Sequence, residues 1–68
     1  MEKRNLEWLA RLRKRYGFTQ VELAKAAGIA QSTYAGIESG ATRPSIKCAK
    51  KIAGVLLFDW THFFRDAA

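Results

Sequence analysis

The chain lacks most of what builds an enzyme or an exported scaffold. Of its 68 residues one is cysteine (Cys48) and one is histidine (His62). A single cysteine forms no internal disulfide, which excludes the disulfide-stapled secreted folds and fits a reducing cytoplasm. One cysteine with one histidine falls short of a structural zinc set, so no metal site is expected. No paired carboxylates, nucleophile beside a histidine, phosphate-cradling glycine loop or cofactor motif stands out, and no catalytic residue is assigned. The apolar run Gly54-Val55-Leu56-Leu57-Phe58 is far too short to cross a membrane. The first residues are charged and mixed, with no signal-peptide apolar stretch. Proline occurs once, at Pro44, and no repeat, linker or low-complexity segment interrupts the chain.

Acidic charge is also scarce. Six Asp and Glu stand against 12 Lys and Arg, giving a net charge of +6 and a pI near 10.0. A basic surface on so small a body favours a polyanionic partner, nucleic acid before acidic protein or anionic membrane. At 49% hydrophobic and 26% charged residues the composition is that of a folded domain. Its length predicts one domain over residues 1–68, with a thin core and no separate sensing module.

Five helices and no strand are expected, because β-branched residues never alternate with period two. Over 5–16, Leu6, Leu9, Leu12 and Tyr16 form one apolar face, with Trp8 beside it and Arg11, Arg13, Lys14 and Arg15 towards the end. Thr19 and Glu22 have capping-box spacing, and Phe18 with Leu23 supplies the hydrophobic staple. Gly17, Gly28 and Gly40 follow helical segments, where a C-terminal cap favours glycine. Ile29 and Tyr34 bracket a weaker start at Ala30. Ser45 caps a helix carrying Ile46, Ala49, Ile52, Ala53 and Leu56. Asp59 caps a last short one with Phe58 and Phe63 as its staple. The core is expected from Leu6, Leu9, Leu12, Leu23, Ile37, Ile52 and Leu56. Cys48 is expected to be a small side chain buried or half-buried in the fold.

Between residues 19 and 39 two short helices meet at a turn too tight for an antiparallel hairpin. Ala24 lets them approach, and Leu23, Ala27, Ile29, Tyr34 and Ile37 give them a shared apolar interface. These offsets are the helix-turn-helix pattern, in which the second helix enters the major groove. With Leu12-Arg13, Gly17-Phe18-Thr19-Gln20, Glu22-Leu23-Ala24, Ser32-Thr33, Ile37-Glu38, Gly40 and Pro44-Ser45-Ile46 in register, the chain resembles the phage Cro/repressor-type helix-turn-helix domains, also called the xenobiotic-response-element type. The likeness runs from about Leu9 to Phe64. It implies an all-α, compact, five-helix, lambda-repressor-like fold.

The resemblance also implies roles. Gln31, Ser32 and Gly36 match base-reading positions, and Gln31 suits a bidentate pair with adenine. Gln20, Thr33 and Arg43 match phosphate contacts, Gln20 at a helix N-terminus that itself favours anions. Arg13 and Glu38 match a structural ion pair. Three residues depart from the pattern: Gly36 stands where relatives often carry Arg, Asn or Gln, Tyr34 replaces an aliphatic residue, and Ala30 replaces a Ser or Thr cap. The function implied is sequence-specific duplex-DNA binding by a homodimeric transcriptional regulator, most simply a repressor blocking polymerase at a two-fold operator.

Two other readings stay open. One is the antitoxin of a toxin–antitoxin pair, which binds a protein as well as DNA. The other is a protein-interaction domain on the same fold. Thr19 to Ile46 holds two bases, Lys25 and Arg43, and two acids, Glu22 and Glu38, so the reading unit is near neutral. The surplus charge lies in the first helix and at Lys47, Lys50 and Lys51, and the salt dependence of binding reports how many of these cations reach phosphate. The basic run 11–15 reads either as a solvated face or as phosphate contact. Phe58, Trp60, Phe63 and Phe64 exceed what so thin a core needs. Some are expected to cap the core, and Trp60, Phe63 and Phe64 to form a dimer patch.

Overall fold

The computed structural model describes residues 6–64. Four α-helices, α1 (Glu7–Arg15), α2 (Gln20–Ala27), α3 (Gln31–Ser39) and α4 (Ile46–Leu56), precede a short 3-10 helix, Trp60–Phe64. No strand occurs among the described residues. The fifth helix is thus present, but as a 3-10 segment rather than an α-helix. Asp59 opens it as expected, its carboxylate accepting from the Thr61 N–H at 3.1 Å.

Local signals account for most of the boundaries. The capping box at Thr19 forms in both directions: its hydroxyl accepts from the Glu22 N–H at 3.1 Å, and its own N–H donates to Glu22 Oε1 at 2.9 Å. Ser45 caps α4 by accepting from the Cys48 N–H at 3.1 Å. Gly28 ends α2 at φ +76°, a conformation that costs glycine little and turns the chain sharply into α3. Two helices start without a side-chain cap. At Ala30 none is present. At α1 the Leu6 N–H donates instead to the Glu38 carbonyl at 2.9 Å, which ties the start of α1 to the end of α3.

Leu9, Leu23, Tyr34, Ile37, Ile52 and Leu56 are fully buried. Each such side chain contributes roughly 1.5–3 kcal/mol by leaving water. Ala24, Ala27, Ala49 and Ala53 are buried with them, and these small residues let α4 pack closely against α2. Leu6 and Leu12, expected in the core, are only half-buried against its edge. Tyr16, expected on the apolar face of α1, is 45% exposed, because α1 ends at Arg15 and Tyr16 already belongs to the cap. Cys48 is half-buried. The helix start expected at residue 5 lies outside the described residues.

Candidate nucleic-acid interface

α2 and α3 pack together across Gly28, which ends α2 in the left-handed conformation. Gln31 and Ser32, in its first turn, are exposed; Thr33 beside them is half-buried. The other end of α3 is held by a polar cluster centred on Glu38. Arg13 from α1 donates through Nε to Oε2 at 2.8 Å and through Nη2 to Oε1 at 3.3 Å. Gln20 from α2 donates through Nε2 to Oε1 at 2.7 Å. The Tyr34 hydroxyl, one turn back on α3, donates to Oε2 at 2.7 Å. Arg13 Nη1 also donates to the Phe18 carbonyl at 2.8 Å, in the link between α1 and α2. One carboxylate therefore joins three helices.

The electrostatics follow from this crowding. Burial alone would raise the Glu38 pKa, but the hydrogen bonds from Arg13, Tyr34 and Gln20 outweigh it and hold the carboxyl below its ordinary value. The hydrogen bond to Glu38 raises the Arg13 pKa against the cost of desolvation. Burial, and then donation to Glu38, push the Tyr34 phenol well up. No buried side-chain nitrogen or oxygen among the described residues lacks a partner. A fully satisfied network of this kind fixes the tilt of α3 more firmly than apolar contact alone.

The remaining candidates sit as follows. Gln20 lies at the first position of α2 with its side chain turned to Glu38, which leaves one amide N–H for an outside acceptor. Gly36 is not an open stretch of backbone. Its carbonyl accepts from the Thr42 N–H at 3.0 Å, and a Cβ there would lie 2.7 Å from Thr42 Oγ1. Glycine at 36 lets the loop after α3 fold back onto the helix. That loop carries Arg43, which is exposed and stands 6.0 Å over the Phe64 ring. Phe63 packs inward, 5.3 Å from Trp8 and 5.5 Å from Phe58. Trp60 and Phe64 are half-buried, 6.1 Å apart, with Lys50 Nζ 5.3 Å over the Trp60 ring.

Sequence reasoning missed two contributors. Tyr34 was expected as an apolar interface residue, yet its hydroxyl belongs to the Glu38 cluster, a partnership that the i, i+4 spacing of the two residues permits. Thr42 carried no local signal, since its role depends on where the loop returns. No group of three or more His, Cys, Asp or Glu side chains that could hold a metal ion occurs among the described residues. No described helix is long and apolar enough to cross a membrane.

Comparison with known proteins places this geometry. The Helix-turn-helix family model matches residues 9–61. The chain is 50% identical over 60 residues to YqaF, an HTH-type transcriptional regulator of Bacillus subtilis, covering 88% of this chain and 79% of that one. It is 46% identical over 57 residues to the HTH-type transcriptional regulator AnsR of the same organism, covering 84% of this chain but 47% of AnsR. Among solved structures, the N-terminal DNA-binding domain of SinR from Bacillus subtilis superimposes with a TM-score of 0.80 at 29% identity, covering 90% of each chain. The turn at Gly28, the exposed start of α3 and these likenesses agree: the chain belongs to the helix-turn-helix family, of the Cro/repressor type, whose members are DNA-binding transcriptional regulators.

Proposed function

We propose that this protein represses transcription by binding a two-fold operator as a homodimer, one α3 helix in each of two successive major grooves. The observation that carries the reading is α3 itself. Its far end is anchored to α1 and α2 through Glu38, while Gln31 and Ser32 stand exposed at its start. A helix held rigidly at one end, with polar side chains free at the other, suits base readout.

Gln31 pairs with adenine N6 and N7, a contact that discriminates by about 1–3 kcal/mol, and Ser32 reads beside it. Thr33 touches a phosphate or a thymine methyl. Gln20 reaches phosphate through its second amide hydrogen and the first turn of α2. Gly36 serves readout indirectly, by seating the loop that brings Arg43 to the next phosphate. Trp60 and Phe64 contribute the dimer surface; Phe63, expected there with them, packs inward on Trp8 and Phe58 instead.

Selection from a random pool of duplex DNA at about physiological salt tests the proposal. It predicts an inverted repeat with half-sites about one helical turn, ~34 Å, apart. Recovery of no common sequence, with only weak salt-sensitive binding, would contradict it and turn attention to the antitoxin and protein-interaction readings. A Gln31→Ala, Arg43→Ala double variant that binds DNA like the wild type would overturn the contact assignment.

A further inference from the structure

On the side of α1 away from the Glu38 cluster, a groove runs between that helix and the corner where α4 passes into the 3-10 helix. It consists of two open depressions that share Trp8 and Leu12. One, of about 260 Å³, is completed by Phe58, Asp59 and His62. The other, of about 320 Å³, is completed by Arg11 and Arg15. We infer that this groove is a docking site for an acidic amphipathic helix of another protein.

The floor is apolar and fixed. Trp8 meets Phe58 edge-on at 5.4 Å and His62 at 4.2 Å, and it leans on Phe63 at 5.3 Å. Interlocked rings lose little conformational freedom when a ligand covers them, which lowers the cost of docking. The rim is basic. Trp8, Arg11, Leu12 and Arg15 recur at i, i+3, i+4 and i+7, one stripe along α1, whereas Arg13 lies about 150° around the same helix. Arg11 is held only loosely, 3.7 Å from an equally exposed Glu7. Arg15 has no ion-pair partner among the described residues, so its planar fork is available for a carboxylate.

The chemistry selects the occupant. A phosphodiester backbone has no use for a floor of Trp8, Leu12 and Phe58, and none of the lining residues lies in α2 or α3. A second copy of this chain carries twice as many bases as acids, 12 against 6, and would meet the rim with like charge. A helix with apolar side chains at i, i+3 and i+4 fills the floor, and carboxylates along its flank reach Arg11 and Arg15. The inference does not rest on the DNA-binding proposal, because the two surfaces share no residue.

The test uses the full chain as bait for a phage-displayed library of random 16-residue peptides. The expected winners are acidic, with apolar residues at helical spacing. Their affinity should fall at least tenfold for an Arg11→Gln, Arg15→Gln variant and for Leu12→Gln, each with an unchanged circular dichroism spectrum. Enrichment of basic or uncharged peptides, or of none, would overturn the inference, as would winners that bind both variants like the wild type. A tenfold loss of duplex-DNA affinity in the arginine variant would assign the rim to nucleic acid instead. Sedimentation showing that Leu12→Gln dissociates a dimer would assign the groove to a second copy.

Discussion

Glu38 is the residue on which the orientation of the reading helix turns. It accepts from Arg13, Gln20 and Tyr34, so an amide in its place removes the charge that pairs with Arg13 and turns one of the two acceptor oxygens into a donor facing donors. Glu38→Gln should destabilise the fold by about 3 kcal/mol, the cost of breaking a largely buried ion pair. Tyr34→Phe, which removes one donor and leaves the pair, should cost about 1.5 kcal/mol. The two together should cost less than the sum, because they share a partner. Urea unfolding of the three variants checks both order and non-additivity. The same carboxylate sets the acid limit. Its pKa is lower in the folded chain than the ordinary 4.5, so its stabilisation is complete above that value and drains away as pH falls through the folded-state pKa. Tyr34 acts at the other end. Its raised pKa means that the unfolded chain loses the phenolic proton first, so stability falls as pH rises above the ordinary 10.0. Urea midpoints across pH should fall at both extremes for the wild type. Glu38→Gln should flatten the acid limb, and Tyr34→Phe the alkaline one.

At the scale of elements, helix ends divide into those written locally and those imposed from elsewhere. Thr19, Ser45 and Gly28 declare their boundaries within four residues, and the structure uses each as its chemistry suggests. Leu57 does not. It ends α4 at φ +58° although leucine is costly there, and it is 79% exposed, so packing gives nothing back. Leu57→Gly should stabilise the protein by about 0.5–1 kcal/mol, the relief of left-handed strain less the added freedom of the unfolded chain. A thermal melt checks the direction. The fifth element was legible as a cap and a staple, but five residues are too few to show which helical form they take. The candidate site divides in the same way. Gln31 and Ser32 follow from the register of α3. The second amide hydrogen of Gln20, the hydroxyl of Tyr34 and the backing of Gly36 by Thr42 depend on tertiary approach between segments, which no local pattern encodes.

Across the whole molecule, the net positive charge and every aromatic residue but Tyr34 lie around the α2–α3 unit rather than in it. In the proposed reading the near-neutral α2–α3 pair carries the information, and Lys47, Lys50 and Lys51 of α4 supply non-specific attraction, which the salt dependence of binding reports. The 3-10 helix presents two faces. Phe63 and His62 turn to Trp8, while Trp60 and Phe64 turn towards Lys50 and Arg43. The second face is where the dimer is proposed, so Phe64→Ala should shift sedimentation at micromolar concentration towards the monomer; unchanged sedimentation would remove Phe64 from the interface. Base reading by α3 is proposed to run through its exposed first turn. It is tested most directly by equilibrium binding of wild type and Gln31→Ala to the selected operator and to a scrambled duplex at one salt concentration. The wild type should prefer the operator by roughly 10³-fold or more. Gln31→Ala should lose about 10- to 100-fold on the operator, with no change on the scrambled duplex. Equal affinity of the wild type for both duplexes, or of both proteins for the operator, would contradict base reading by α3.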